Sequence, residues 1–463
     1  MKKTKAILLL ACSWFLIADV VQGKNEDPFV KWERSGEFFS RAYQELDEAN
    51  AYEDTQGFDT RLSLKNRLEL FDEHMILQVN GDARYEGFRA EDTDDDLDLL
   101  LREAYVDLRD TSHSLSVGRQ IITWGKLDDI VIVDRVSPQD YKWFVLLDKQ
   151  ERKEPEFMLK YNFFADNFQL EAIYLPIFKP SKVKHFGSGW SVFGRLQDMV
   201  QDGSYTASQK SVVSRIKIEE KDKFTDNKFK NGEVGVRLRS RAMEVDFAMC
   251  YLSFFNRVPT LQEKTANGNA LKKFLYMPNT QNLVALDNLN PTSGDLTLFE
   301  EHKRLHMVGL DFETVASNYG LRGEFGLFLD MPYLRRDFSY VRKKTAMLGF
   351  GIDHTTDNNL YCNLQFIETV VMDYEDLFNQ EEYTREMTLE ITKDFFRGYV
   401  LCSLDYGYNI SRGDWMLNPQ IQYKFKNGLK VSLGGFIFDG GPTTTFGRYS
   451  DRDLIYVEAK YAF

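Results

Sequence analysis

The feature that most constrains this chain is an alternation that recurs almost from end to end. Apolar and polar residues swap places every second position in about seventeen segments of roughly ten residues, the pattern of membrane-spanning strands. Leu62, Leu64, Leu68 and Leu70 interleave with Arg61, Ser63, Lys65, Arg67 and Glu69. Val245, Phe247, Met249 and Tyr251 form another set, as do Leu348, Phe350 and Ile352, and Val400, Cys402, Leu404 and Tyr406. The last runs Ile455, Val457, Ala459, Tyr461, Phe463, against Tyr456, Glu458 and Lys460. A strand sends successive side chains to opposite faces, so each segment has one apolar and one polar face.

The connections alternate in length. Asp72–Glu73, Ser240–Ala242 and Lys426–Gly428 are short, whereas Gly125–Pro155, Pro176–Lys210 and Phe255–His302 are long. Short turns at one end and long loops at the other describe an up-and-down transmembrane barrel. The expected fold is all-β: an antiparallel barrel of about 18 strands, with 16 as the alternative. Gly36–Tyr43 supplies the first strand, and Val212–Glu219 reads as a hairpin inside a long loop. A soluble sandwich also alternates, but it requires neither this loop pattern nor a terminal aromatic. Pro419 counts slightly against a barrel strand, because proline removes a ladder hydrogen bond.

Residues 1–23 read as a signal peptide. Lys2, Lys3 and Lys5 precede an apolar run from Ala6 to Ile17, too short for a spanning helix. Residues 24–463 are then one domain, the barrel proper from about 36. Only helices and closed barrels span lipid, and no later stretch is apolar enough for a helix. A net charge of −13 argues against a nucleic-acid partner. The mature cysteines Cys250, Cys362 and Cys402 are odd in number and far apart, which suggests neither a disulfide framework nor a metal site. No cofactor is expected.

Two resemblances follow. The apolar-out, polar-in strand ending on Phe463 resembles the C-terminal strand of Gram-negative outer-membrane barrels, which implies that Tyr461 and Phe463 form the signal read by the assembly machinery. The stretch from Leu101 to Pro180 resembles a group of largely uncharacterised proteobacterial outer-membrane barrels, broadly similar to porins and alginate-export channels. Its motifs are VGRQIITWG at Val117–Gly125, VSPQD at Val136–Asp140 and the approach to Pro155. The glycine that the family has before that proline is Glu154 here. The resemblance implies a passive or facilitated channel in the outer membrane, in contact with lipid and lipopolysaccharide, and supplies no catalytic residues.

Gly125–Pro155 is too long for a bare connection. Two placements stand open for it: folded into the lumen as a constriction carrying Asp128, Asp129, Asp134, Asp140 and Trp143, or turned outward as a lid or strand extension. The inward faces nominate pore-lining charges. Arg61, Lys65, Arg67, Lys424, Lys430 and Lys460 lie near the seam of first and last strands. Glu244, Asp246, Asp311, Glu313 and Glu324 lie roughly opposite, and Glu103, Asp107 and Glu458 also point inward. Opposed walls would set a field across the pore, although local pairing is the favoured reading.

Other motifs carry less. Asp92, Asp94, Asp96 and Glu103 have EF-hand spacing, but Leu97 stands where the loop needs glycine. His302 and His306 fall on a strand without the metalloprotease glutamate. No hydrolase or phosphate-loop motif occurs. The expected function is an outer-membrane channel, not an enzyme, for small hydrophilic or anionic solutes. A receptor or adhesin using the long loops is the alternative, and a hydrolase embedded in the wall a more distant one.

Overall fold

The computed structural model describes residues 30–46, 56–88, 96–128, 130, 132–194, 196, 206–220, 231–263, 270–289 and 296–463. The signal-peptide reading, most of the acidic run from Asp92 and Asp129 of the constriction set lie outside them.

Eighteen strands pair antiparallel with their neighbours and the first pairs with the last, so the sheet closes. In order they are β1 Val30–Glu45, β2 Gln56–Leu70, β3 Met75–Phe88, β4 Asp96–Arg109, β5 His113–Gln120, β6 Glu156–Phe164 and β7 Phe168–Leu175. After the small strand β8 (Ile216–Glu220) come β9 Glu233–Ala242 and β10 Val245–Phe255. Two more small strands, β11 (Thr260–Glu263) and β12 (Leu296–Glu301), precede β13 Arg304–Ala316, β14 Tyr319–Leu334, β15 Tyr340–Thr355 and β16 Leu360–Val371. The barrel finishes with β17 Tyr383–Phe395, β18 Val400–Asn409, β19 Asp414–Lys424, β20 Leu429–Asp439 and β21 Leu454–Ala462. The wall starts at Val30, six residues before the expected position. Pro419 sits in β19 where pairing with β20 lapses between Leu417 and Gln420.

The outer face is apolar and exposed. Leu62, Val236, Met249, Leu310, Phe350 and Val457 all project from it. In water such a surface would be an aggregation hazard; on a closed barrel it is the lipid-facing band of a transmembrane protein. Aromatic residues rim the short-turn end, among them Phe164, Phe395, Tyr423, Tyr461 and Phe463. Tyr406, Tyr408 and Trp415 cluster toward the other rim. Two such girdles mark the two interfaces of the hydrocarbon layer.

The terminal residue closes the seam. Phe463 and Gly36 exchange both backbone hydrogen bonds, at 2.8 and 2.9 Å. The Phe463 ring occupies the space that a Cβ on Gly36 would need, 2.4 Å from its Cζ, so the glycine provides the seat.

At the long-loop end β8, β11 and β12 form a separate three-stranded sheet. Helices at Ala207–Val213, Ala270–Tyr276 and Thr280–Leu289 pack with it around Phe274, Leu283 and Leu298. The hairpin expected over Val212–Glu219 is therefore the end of a helix followed by one strand, and that strand pairs parallel with β12. Alternation over four residues could not separate these cases, because the strand's partner lies far along the chain.

Candidate functional site

The connection between β5 and β6 crosses the lumen. Its first half lies on the inner faces of β9 and β13–β16, and its second half on the inner faces of β1, β20 and β21. Ile132 and Val133 are fully buried, and Trp124 nearly so. Of the two placements open from sequence, the lumen is the one observed.

The first anchor is made by missing side chains. Gly235, Gly309, Gly326 and Gly349 all face inward. A Cβ on Gly235 would meet Trp124 at 2.7 Å, and one on Gly309 would meet Val133 at 2.7 Å. Gly326 leaves room for Ile132, and Gly349 for both Leu127 and Ile132. Around this track the inner wall is itself apolar, with Ile173, Leu252, Met307 and Phe328 buried against the segment.

Polar contacts then fix the register. Glu324 accepts the backbone N–H groups of Lys126 (2.6 Å), Leu127 (2.8 Å) and Val133 (3.1 Å). Beside it Gly125 takes φ +90, a left-handed backbone that glycine adopts without strain. Trp124 donates its indole N–H to Glu171 at 2.7 Å, and its backbone N–H to Asp134 at 3.0 Å. Lys153 and Asp134 form a buried pair at 2.5 Å. Arg257 ties the base together, donating to Glu156, Glu233 and the carbonyls of Val136 and Lys179. A carboxylate or guanidinium placed so deep is tolerated only when its hydrogen-bonding atoms are met in this way.

The second anchor is ionic and lies at the seam. Arg41 donates to the Leu146 carbonyl (2.5 Å) and to Glu458 (2.6 and 3.0 Å). Arg61 pairs with Glu151 at 2.7 Å. Lys460 lies 3.2 Å from Glu458 and 3.9 Å from Asp148. Trp143, Leu146 and Leu147 pack there against Tyr43, Phe436, Leu454 and Tyr456.

The nominated residues distribute as follows. Arg61, Lys65, Arg67, Glu103, Asp107, Asp246, Asp311, Glu313, Glu324, Lys424, Lys430, Glu458 and Lys460 occupy inward positions of their strands. Many pair locally: Asp311 with Arg237 at 2.8 Å, Glu313 with Lys126 at 2.7 Å, Arg67 with Glu69 at 2.6 Å and Asp107 with Arg109 at 2.5 Å. Asp246 approaches Arg241 at 3.7 Å, and Glu103 accepts from Asn80 at 2.6 Å. Glu244 is the correction. It sits with Met243 in a two-residue hairpin turn at positive φ and is exposed at the short-turn rim, so it lines nothing. Asp128 is held by Asn363 (2.9 Å), Gln365 (3.1 Å) and Arg322. Asp140 is buried near Lys182 at 3.5 Å. His302 and His306 take separate partners, the Asn256 carbonyl and Tyr251.

The segment leaves parts of the wall uncovered, and the longest polar stretch described is an arc along β17–β19. Along β17–β19 the inward Thr388, Glu390, Thr392, Ser403, Asp405, Asn418 and Gln420 all remain partly exposed, whereas the inward Ala248, Cys250, Leu252 and Phe254 of β10 and Leu305, Met307 and Asp311 of β13 are buried. At the short-turn end of this arc Lys424 pairs in register with Lys430, and Lys430 with Lys460. Like charges directly opposed across strands are destabilising. No carboxylate lies within salt-bridge distance of Lys424 or Lys430 among the described residues. A separate cavity of about 340 Å³ opens near β4–β7, lined by Asp107, Arg109, His113, Lys160, Glu171 and Arg239.

The ionic anchor carries a pH dependence. Burial opposes the charge on Glu151 most strongly; Arg61, Lys460 and Arg41 outweigh it and hold the carboxyl below its ordinary value. A carboxyl depressed by docking stabilises the docked state above its free value, and that contribution is lost as pH falls. Asp148, Glu458 and Glu37 face the same cluster. Below about pH 4, near the free glutamate value, the arm is expected to loosen reversibly. Planar-bilayer current should then become larger and noisier; a quiet, unchanged trace down to about pH 3 would contradict this.

Sequence reasoning missed Arg41, Glu151, Lys153, Glu171, Arg237 and Arg257. One signal was available: β10 reads apolar on both faces, since Ala248, Cys250, Leu252 and Phe254 alternate with Phe247, Met249 and Tyr251. A strand with lipid on one side and an apolar inner face needs an apolar occupant inside.

Comparison with known proteins agrees with the architecture. Residues 33–358 match the family described as "Protein of unknown function (DUF1302)". No curated protein matches the sequence. Among solved structures, Acinetobacter baumannii OccAB3 aligns at TM-score 0.50 and 11% identity, covering 94% of this chain and 99% of that one. Pseudomonas aeruginosa OccK5 (OpdH) aligns at 0.49 and 11%, covering 94% and 98%. The outer membrane channel DcaP of A. baumannii aligns at 0.43 and 11%, covering 95% and 99%.

Proposed function

The chain belongs to the DUF1302 family, and we propose that it is a porin-like outer-membrane channel for small hydrophilic solutes, with a preference for anions. The observation that carries this reading is the polar, solvent-reached arc along β17–β19, left open beside a segment that covers the inner wall from β9 to β16 and at the seam. A barrel of roughly 16–18 strands is wide enough for an aqueous passage. Lysines stacked in register at one end of the arc favour anions, as rings of charge do in other pores. The exposed Lys65 adds to the basic side, while Glu390 and Asp405 supply an acidic one.

Liposome swelling with sized sugars and organic anions tests the proposal. Rapid swelling with small sugars, faster still with small anions, is expected. A sealed barrel that binds a ligand without passing it would replace the channel with a receptor built on the three-stranded cap.

The same proposal includes export through residues 1–23, contact with lipopolysaccharide, and reading of Tyr461 and Phe463 by the outer-membrane assembly machinery. Deleting Phe463 removes the paired hydrogen bonds to Gly36 and the ring seated on it. The heat-modifiable folded band in outer-membrane fractions is expected to fall severalfold. An undiminished band would remove the assembly role.

A further inference from the structure

The ring of Phe39 is fully buried in the inner wall at the seam. Three cations surround it: the Arg61 guanidinium 5.0 Å, the Lys460 ammonium 5.2 Å and the Arg41 guanidinium 5.4 Å from its centroid. An aromatic face holds cations favourably, but three like charges this close need counter-ions. The wall supplies Glu458 and, 3.7 Å from Arg61, Glu37. The others come from the lumen segment, Glu151 on Arg61 and Asp148 near Lys460.

Those two carboxylates fit loosely. Asp148 stands 3.9 Å from Lys460 with its side chain 68% exposed. Glu151 reaches Arg61 through one oxygen only; its Oε2 and the Arg61 Nε are both buried without a hydrogen-bond partner among the described residues. A guanidinium offers a fork that matches a carboxylate with two parallel bonds, and here half of that fork is unused. With the arm withdrawn, three cations and two carboxylates, Glu458 and Glu37, remain on the wall, a net excess of one positive charge beside an aromatic floor.

We propose that Arg41, Arg61 and Lys460 over Phe39 form a binding site for a small dicarboxylate, and that Glu151 and Asp148 of the arm occupy it as internal stand-ins. The incoming dianion takes both arms of Arg61 and the Lys460 ammonium, and the arm leaves the seam. The first anchor, on glycines and Glu324, involves none of these charges, so the segment stays attached at its other end. Solute binding and widening of the passage are one event. The proposal rests on the channel reading and names its preferred solute.

Thiol accessibility tests it in the full-length protein. Leu147 is buried against the seam in the docked arm, and withdrawal of the arm is expected to expose it. Leu147→Cys is made with Cys250, Cys362 and Cys402 replaced by serine, and its reaction with a charged thiol reagent is followed with succinate, acetate or neither. Succinate is expected to accelerate labelling several-fold and saturably, with acetate much weaker. Glu151→Gln is expected to accelerate it without succinate. Labelling that ignores succinate, in a channel that still passes anions in swelling assays, overturns this site and leaves the channel reading standing. A succinate response in a protein that passes no solute supports the site and removes the channel. Should Glu151→Gln leave labelling slow, Glu151 is not the latch and the proposal fails.

Discussion

Deleting Asp128–Gln150 and bridging the gap with a short flexible linker is expected to raise single-channel conductance about two- to fourfold, toward that of an unobstructed lumen of this strand number. Outside the open arc, that segment is what lies on the inner wall from β9 to β16 and at the seam. Its removal uncovers Ile173, Leu252, Met307 and Phe328, which now pack against it. These face the lumen and leave the hydrogen-bonded ladder intact, so the barrel itself should still form. The heat-modifiable band should persist while the conductance changes. An unchanged conductance would place the narrowest point in the cap of β8, β11 and β12 instead.

The second large effect is expected at Glu324. Its carboxylate accepts three backbone N–H groups from the segment, and hydrogen bonds to a charged acceptor contribute roughly 1.5–3 kcal/mol each. Glu324→Leu removes all three and leaves buried donors unmet, a loss on the order of 5 kcal/mol from docking of the tip. The undocked population should rise by roughly three to four orders of magnitude, at about 1.4 kcal/mol per tenfold. Limited proteolysis reads this directly, through new cleavage after Lys126 or Lys142 in folded protein. Glu324→Gln keeps one acceptor oxygen and should fall between. Equal resistance of wild type and Glu324→Leu would mean that the glycine track alone holds the tip.

The parts of this molecule that follow from local pattern were legible in the sequence. Membrane strands need alternate apolar residues whatever lies inside, so Leu62 or Val457 announces the wall without reference to any neighbour. Closure was legible too, because Phe463 ends a strand of the same kind. The lumen was not. Its occupant is held by Gly309, Gly326 and Gly349, which contribute by having no side chain, and by carboxylates whose partners lie nearly two hundred residues away in the chain. Parity placed Glu324 inward but could not say that it faces backbone N–H groups rather than solute. Arg41 escaped because β1 alternates poorly: its inward positions include Phe39 and Tyr43, buried under the arm. Glu244 failed because a two-residue turn at positive φ takes a residue out of the strand's alternation.

The proposed passage along β17–β19 is tested most directly at Ser403, in the middle of the uncovered arc. Ser403→Cys, with the native cysteines replaced, is reconstituted in a planar bilayer and exposed to a small negatively charged thiol reagent while single channels are recorded. A stepwise, irreversible fall in conductance is expected as the adduct forms in the conducting path. Full modification confirmed by mass, with conductance untouched, would contradict a passage at this wall.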